Sequence, residues 1–208
     1  KSLSQLFGGG GSGVKMNDGT LAFPVEGTKK EDGAGKDGKT VSLIIYSSDT
    51  KSWKLSKGMS ADGCSDPSVV EWNDKLMMMT ACGDGRRRVY EIGDKGDSWT
   101  EALGTLSRVW GNEQKGKVKI VRSGFITAAL GDNEGNNRNV MLVTLPVYSK
   151  EKDNSKGELH LWLTDNTHIV GIGPVSGDDD AAASSLLYRS GDNNEELIAL
   201  YEKKKGES

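Results

Sequence analysis

The sequence predicts an all-β fold built from blades of a β-propeller, and three observations lead to this prediction. A turn motif recurs along the chain, short apolar segments alternate with turn sequences every roughly 8–15 residues, and no helical 3.6-residue pattern is present. The composition agrees, because 28 glycines and 35% hydrophobic residues suit many short strands better than long helices. Strands joined by recurring similar turns are typical of propellers.

The recurring turn is best preserved at residues 91–99, Glu-Ile-Gly-Asp-Lys-Gly-Asp-Ser-Trp. It has the layout of an Asp box, Ser-x-Asp-x-Gly-x-x-Trp, with Ile92 in place of the serine. We expect the Asp94 carboxylate to accept hydrogen bonds from nearby backbone N–H groups and so hold the turn. Gly96 is expected to take a positive φ, and Trp99 to cover the turn with its ring.

Two weaker copies of this turn occur elsewhere. Residues 47–53 contain Asp49 and Trp53 but lack the glycine, and a fainter copy at residues 163–166 contains Asp165. Asp94 follows Asp49 by 45 positions, which is the spacing expected for one four-stranded blade. We therefore assign the three aspartates structural roles in turns.

The predicted strands are short and rich in β-branched or apolar residues, and Met77, Met78 and Met79 are expected to fill the core. The strands are predicted at residues 20–25, 40–46, 67–72, 75–82, 125–130, 140–146, 158–164, 169–175, 184–188 and 195–201.

The glycine-rich run at residues 8–13 has only a superficial likeness to a phosphate-binding loop. No Lys-Ser/Thr pair follows it, and the later Asn-Asp-Gly at residues 17–19 predicts a hairpin turn rather than the start of a helix. We therefore predict that the run is a close passage of the backbone between strands.

Bulk properties exclude several classes of function. The net charge of −3 gives no electrostatic case for nucleic-acid binding, and no run of about 20 apolar residues could span a membrane. The two histidines, His160 and His168, lack the spacing of a metal site, so neither a metal nor a cofactor is predicted. No Ser/His/Asp triad can be assembled.

The two cysteines, Cys64 and Cys82, stand on either side of a predicted hairpin. In a secreted protein this spacing allows a disulfide, whereas in the cytosol two buried thiols are the alternative. Sequence does not show whether the two Cβ atoms face each other, so both alternatives remain open.

Four segments of the chain form specific motifs: Gly-Cys-Ser-Asp-Pro at residues 63–67, Arg-Arg-Arg-Val-Tyr-Glu at 86–91, the stretch 98–111, and Leu-Trp-Leu-Thr-Asp-Asn at 161–166. These segments resemble the trypanosomal trans-sialidase/sialidase superfamily. The resemblance implies a six-bladed β-propeller of the sialidase fold, of which this chain would cover about the third to fifth blades and part of the sixth. The first blades and the C-terminal lectin-like domain would then lie outside this chain.

Active members of that superfamily cleave or transfer sialic acid by a retaining mechanism with a tyrosine nucleophile. A glutamate next to the tyrosine takes its proton. A neutral nucleophile avoids repulsion from the carboxylate at the anomeric carbon of the substrate. Three arginines clamp that carboxylate through charge-assisted hydrogen bonds.

The resemblance assigns five positions of this chain to that site. Asp66 stands where active members have the glutamate of Ser-Glu-Pro, and it is shorter by one methylene. Ala81 and Lys156 stand in place of the second and third clamp arginines. Ala183 replaces the nucleophilic tyrosine, and Glu202 matches its glutamate if the preceding hairpin carries an insertion.

These replacements imply a catalytically silent member of the superfamily, since loss of a nucleophile costs on the order of 10³ or more in rate. We expect a cell-surface glycoprotein, lipid-anchored in its full-length form, that binds host-cell glycoproteins or matrix in adhesion and virulence. One alternative is an exo-α-sialidase or trans-sialidase. A second is a weak sialoglycan-binding module with Lys156, Arg86 and Glu202 lining its pocket.

Overall fold

A computed structural model describes residues 3–30, 38–110, 121–131, 138–148, 156–191 and 194–204. Across these ranges the chain forms fifteen strands, one 3₁₀ turn and one helix of five residues, and every strand pair is antiparallel. The all-β prediction is confirmed. The chain divides into two compact units, Lys1–Gln114 and Lys115–Ser208.

The first sheet of the first unit contains β1 Leu3–Gly8, β2 Val14–Lys15, β3 Leu21–Lys29, β4 Thr40–Ser47 and β5 Lys54–Leu55. Its strand order is β1-β3-β4-β5, and β2 also pairs with β3. Burial does not alternate along the central strand β4, where four successive residues, 41–44, are buried.

The second sheet of this unit has four strands in consecutive order, which is the arrangement of one propeller blade. Its methionines are at most 1% exposed, so the prediction that they fill the core is confirmed. Ala22 and Ile44 of the first sheet pack with Val69, Leu76, Met78, Tyr90 and Ile92 of the second. The elements are β6 Cys64–Trp72, β7 Lys75–Cys82, β8 Arg87–Gly93, the 3₁₀ turn Asp94–Gly96, β9 Ser98–Glu101 and helix α1 Leu106–Trp110.

The second unit contains another four-stranded sheet in consecutive order, formed by β10 Gly124–Leu130, β11 Arg138–Tyr148, β12 Gly157–Thr164 and β13 Ile169–Pro174. It also contains a two-stranded pair, β14 Ala181–Gly191 and β15 Asn194–Lys203. Leu186 of β14 packs with Ala128, Val140 and Leu142 of the sheet, so one core joins the two elements.

Cys64 and Cys82 form a disulfide, which decides between the two alternatives left open by the sequence. They are directly opposite each other on β6 and β7, with their Cα atoms 4.0 Å apart, and both are buried. The bond therefore closes the open end of the β6–β7 hairpin.

The Asp49 carboxylate holds the turn between β4 and β5. Its Oδ1 accepts hydrogen bonds from Ser47 Oγ at 3.0 Å, Lys51 N at 2.9 Å and Ser52 N at 2.7 Å. The N–H groups of Ser52 and then Lys51 lower the pKa of Asp49 to about 2, because they stabilise its charged form. Thr50 takes a φ of 60° within this turn.

The Asp165 turn, between β12 and β13, is built in the same way. Asp165 Oδ1 accepts hydrogen bonds from Thr167 N at 2.8 Å and His168 N at 2.6 Å, and Asn166 has a φ of 72°. The N–H groups of His168 and then Thr167 lower the pKa of Asp165 to about 2.

The Asp94 turn, whose sequence fits the motif best, differs from the expectation. Its hydrogen bonds run to backbone carbonyls rather than to the carboxylate: Asp97 N donates to Asp94 O at 3.3 Å, and Trp99 Nε1 donates to Gly96 O at 3.0 Å. Asp94, Lys95 and Gly96 all have positive φ, so three successive left-handed residues make the reversal.

The two tryptophans next to these turns differ in their surroundings. The Trp99 ring lies against Tyr90, with ring centroids 5.7 Å apart, and forms part of the core edge. Trp53 contacts Phe23 at 5.6 Å but remains 45% exposed. Trp99 therefore covers its turn far more completely than Trp53 does.

The low pKa of Asp49 predicts a pH-dependent effect of Asp49→Asn on stability. The folded pKa of about 2 lies below the unfolded value of about 3.9, so the carboxylate stabilises the fold above pH ~4 and loses this contribution as the pH falls to ~2. We expect the variant to melt below the parent at pH 7 and the difference to close between pH 4 and 2. Thermal unfolding followed by circular dichroism measures this.

Asp178→Asn serves as the control, because it removes the same charge from an exposed turn residue. A difference in melting temperature between parent and Asp49→Asn that stays constant over the whole pH range would contradict the assignment.

Candidate functional site

In the first unit, a β-bulge places Asp66 beside Ala81. Ser65 of β6 is directly opposite Ala81 of β7, and the pairing then shifts before Ser68. Asp66 and Pro67 therefore leave the regular ladder, and Asp66 takes a φ of 51°. Ala81 is buried, with 4% of its surface exposed.

Two hydrogen bonds fix Asp66 in this conformation. Ser65 Oγ donates to Asp66 Oδ2 at 2.8 Å, and the backbone N–H of Asp66 donates to Oε1 of Glu26 at 2.8 Å. Burial raises the pKa of Glu26, the bond from the Asp66 N–H lowers it, and the Asp66 charge raises it again. Glu26 belongs to no motif, and its only signal in the sequence is a carboxylate that follows the apolar run of β3.

The glycine-rich run passes over the same bulge. A Cβ at Gly9 would lie 2.6 Å from Pro67 Cγ, and one at Gly11 would lie 2.6 Å from Pro67 O. Gly9 N also donates to the carbonyl of Pro24 at 3.1 Å. The predicted close backbone passage is confirmed, because no side chain fits where these glycines meet Pro67.

Three arginines follow β7, and they differ in their surroundings. Arg86 is exposed and its Nε lies 3.9 Å from Asp84, while Arg88 contacts Asp84 at 2.8 Å and Glu101 at 3.6 Å. Arg87 is opposite Ala81 on β8 and is buried. Arg86, proposed from the sequence for a sialoglycan pocket, thus lies at the exposed turn before β8.

In the second unit, another bulge brings Ala183 and Glu202 together. Ala181 pairs with Lys203 and Ser184 pairs with Tyr201, so Ala183 lies in the bulge opposite Glu202. Glu202 is exposed, and Ala183 is half-buried. A pair of side chains at these two positions would be neighbours across the strands.

Lys156 lies at the same end of the second unit. Its Nζ is 3.4 Å from the carbonyl oxygen of Asp178, and the following Gly157 donates its N–H to Asp180 Oδ1 at 2.8 Å. A Cβ at Gly157 would be 2.6 Å from the carbonyl of Ala181, so the two backbones are in close contact. The three positions assigned in this unit therefore share one region.

Ser184 fixes the backbone next to Ala183, and sequence reasoning missed it. Its Oγ accepts the Gly124 N–H at 3.2 Å and lies 2.8 Å from Thr144 Oγ1, while its N–H donates to the Arg122 carbonyl at 3.0 Å. Ser184 is 2% exposed. The serine thus ties β14 to both β10 and β11.

A groove of about 520 Å³ in the second unit lies at the Asp165 turn, away from Lys156, Ala183 and Glu202. It is lined by Leu130, Gly131, Arg138, Asn139, Val140, Leu163, Asp165, His168 and Val170.

The described part of the chain contains no cluster of three or more His, Cys, Asp or Glu side chains that could hold a metal ion. No helix within it is long and apolar enough to cross a membrane.

The sequence model of the BNR repeat-like domain family matches residues 1–202. The chain belongs to this family. A sialidase of Trypanosoma cruzi is 38% identical over 201 residues, covering 96% of this chain and 16% of that protein. Sialidase 85-1.1 of the same organism is 38% identical over 179 residues, covering 85% of this chain and 22% of that protein.

Solved structures of Trypanosoma rangeli sialidase show the same fold. The complex with the inhibitor DANA gives a TM-score of 0.80 at 34% identity, and the complex with sialic acid gives 0.78. Each match covers 98% of this chain and 30% of the solved chain. The superfamily resemblance and the propeller-type fold class are confirmed, and the family members matched here are several times longer than this chain. The six-blade count and the assignment of blades remain predictions.

Ser184→Ala is expected to lower the free energy of unfolding by about 1–3 kcal/mol, because Gly124 N–H and Thr144 lose a buried partner. Urea unfolding measures the change. Ser185→Ala is the matched control on the same strand, where we expect a change within about 0.5 kcal/mol. Equal losses in both variants would contradict the role given to Ser184.

Proposed function

We propose that this chain is part of a catalytically silent, trans-sialidase-like surface glycoprotein whose function is binding rather than turnover. The family membership supports a sialidase-like protein. The observation that carries the proposal is the methyl group of Ala183 at the bulge opposite Glu202. A methyl group cannot attack an anomeric carbon, so no covalent glycosyl intermediate forms by the family route.

Glu202 supports the same conclusion. In the family mechanism the glutamate takes a proton from the tyrosine beside it, and at this bulge there is no hydroxyl on the opposite residue to deprotonate. Without that hydroxyl, Glu202 has no nucleophile to deprotonate by the family route. Glu202 therefore remains as a surface charge.

The binding of an anionic sugar is weakened as well. The Ala81 methyl offers no donor, and Lys156 is a point charge without the planar fork that binds a carboxylate through two bonds. Asp66 is one methylene shorter than glutamate and its carboxylate already accepts a hydrogen bond from Ser65. In rate, the loss of a nucleophile alone costs on the order of 10³ or more.

Adhesion to host-cell glycoproteins or matrix, with a part in virulence, is the function that we propose for the silent protein. The Cys64–Cys82 disulfide supports an extracellular location, because such bonds persist in oxidising compartments. We further propose that the full-length protein is lipid-anchored at the cell surface.

A sialylated glycan is the second candidate ligand. Trypanosoma rangeli sialidase, 34% identical to this chain, has been solved with sialic acid bound. Lys156 retains a positive charge in the region of Ala183, which favours weak attraction of a carboxylate. The alternative is an active exo-sialidase or trans-sialidase. Ala81 and Ala183 are the strongest evidence against it, because an enzyme of this family needs an arginine and a tyrosine at these positions.

The proposal is tested by incubating the full-length protein with a fluorogenic sialoside and measuring the release of sialic acid. We expect no release above the uncatalysed background, since the nucleophile is absent. An Ala81→Arg/Ala183→Tyr double variant is expected to gain measurable release, because the introduced tyrosine would face Glu202 across the bulge.

Ala81→Arg/Ala183→Phe is the matched control, since it adds the same bulk without a hydroxyl and should stay inactive. Release by the parent protein that a sialic-acid transition-state analogue inhibits would refute the silent assignment.

A further inference from the structure

The disulfide of the first unit lies directly beside two of the positions assigned to the site. Cys64 precedes the bulge at residues 65–67, and Cys82 follows Ala81. The bond is therefore a covalent tie between the strand that carries Asp66 and the strand that carries Ala81. A change at this bond acts on the bulge before it acts on the rest of the hairpin.

The bulge divides the β6–β7 ladder into two unequal parts. On the side of the hairpin turn, five pairs join residues 68–72 to residues 75–79. On the other side the two strands have two pairs, the cysteine pair and Ser65–Ala81, and residues 66–67 between the two parts have no ladder partner on β7. So short a ladder end opens at low free energy when main-chain hydrogen bonds alone hold it. The disulfide supplies the additional stability here.

The β7 side of this end has further support from β8. Ala81 also pairs with Arg87, and the Cys82 N–H donates to the carbonyl of Arg86 at 2.8 Å. We therefore expect β7 to keep its place in the sheet when the disulfide is broken.

The β6 side has its other contacts with the first sheet instead. Ser42 Oγ donates to the carbonyl of Cys64 at 3.1 Å, and the Asp66 N–H donates to Oε1 of Glu26 at 2.8 Å. These bonds hold the segment to β3 and β4, and they do not fix its distance from β7.

The backbone of the segment is in a conformation that depends on its surroundings. Gly63 has a φ of 79° and Asp66 a φ of 51°, and a non-glycine residue keeps a positive φ only while its surroundings hold it there. Without the disulfide, the segment is joined to β7 through the bond from the Gly83 N–H to the Gly63 carbonyl at 2.8 Å and through the Ser65–Ala81 pair. We expect these contacts to be too few to keep the bulge closed.

We propose that the Cys64–Cys82 bond is a redox-sensitive clamp, and that its reduction by a dithiol releases the bulge at residues 65–67 from β7 while the rest of the sheet stays folded. One thiolate of the reductant attacks a cysteine sulfur and forms a mixed disulfide, which the second thiol of the reductant then resolves. Two electrons and two protons pass to the protein, both cysteines become thiols, and the dithiol becomes a disulfide. Reoxidation restores the clamp.

The clamp responds slowly, because both cysteines are buried in the folded protein. Cys64 is 0% exposed and Cys82 is 3% exposed, so a reductant reaches them when the end of the ladder opens. A brief contact with thiols therefore leaves the bond intact, whereas long residence in a reducing compartment breaks it.

This clamp goes beyond the proposed function and does not depend on it. A ligand held by the wall at Asp66 and Ala81 would be bound by the oxidised protein and released by the reduced one. If the clamp is refuted, the silent assignment stands, because it is carried by Ala183 in the second unit.

Hydrogen–deuterium exchange of the full-length protein, with and without dithiothreitol, tests the proposal. Peptides covering residues 63–68 report on the bulge, and peptides covering residues 70–77 report on the other end of the same hairpin. On reduction we expect exchange at residues 63–68 to become at least about tenfold faster, and exchange at residues 70–77 to change by less than about twofold. Intact mass measured in parallel shows whether the bond has been reduced.

Cys64→Val/Cys82→Ala is the matched variant, because it removes the bond and keeps two apolar side chains at the buried pair. It should show the fast exchange at residues 63–68 in the absence of reductant. Dithiothreitol should cause no further change at these residues, whereas any response elsewhere in the variant belongs to other cysteines of the full-length protein.

Equal exchange at residues 63–68 in the oxidised and reduced protein would overturn the clamp. An equal increase at both ends of the hairpin would also overturn it, since that result indicates a general loss of stability. A bond that dithiothreitol reduces only when the whole protein unfolds would refute it as well. Should the variant fail to fold, the comparison of the oxidised and reduced parent decides alone.

Discussion

A β-strand alternates its side chains with a period of two, and a bulge is the local device that breaks this alternation. In this protein a bulge on β6 carries Asp66, and another on β14 carries Ala183. Each bulge turns a backbone N–H or a side chain away from the regular strand pairing. That group then needs a hydrogen-bond partner from another strand. Glu26 supplies that partner in the first unit, and the hydrogen bonds of Ser184 hold the strand in the second.

The scaffold of this chain does not depend on the side chains at the positions assigned to the family's active site. Main-chain pairing, the methionine core and the disulfide hold the sheets, and none of them depends on a hydroxyl at Ala183 or a guanidinium at Ala81. Replacing a reactive side chain by alanine therefore leaves the scaffold intact. The same separation is compatible with the binding role that we propose for this chain.

Much of the architecture was predictable from local patterns. Strand positions follow β-branched apolar runs, and the role of the glycine run follows from the absence of the residues that a phosphate loop needs. The turn at Asp94 differs from the prediction: its hydrogen bonds run to backbone carbonyls, whereas the carboxylates of Asp49 and Asp165 in the weaker copies accept backbone N–H groups. The identity of a turn residue predicts a reversal of the chain more reliably than it predicts which atom accepts the hydrogen bond.

The register of the strands was beyond local prediction, and the site depends on register. Pro67 marks the β6 bulge in the sequence but does not identify its partner, so the contact between Glu26 and Asp66, 40 residues apart, could not be foreseen. The cysteine pair stayed undecided for the same reason, because only the pairing of β6 with β7 places Cys64 opposite Cys82.

Covalent trapping tests the silent assignment most directly. Trypanosoma rangeli sialidase forms a covalent intermediate with 2,3-difluorosialic acid, and it provides the positive control. The full-length protein would be incubated with the same compound and its intact mass measured. Our account predicts no increase in mass, whereas a sialyl adduct on any tyrosine would show that a nucleophile is present and that the protein is an enzyme.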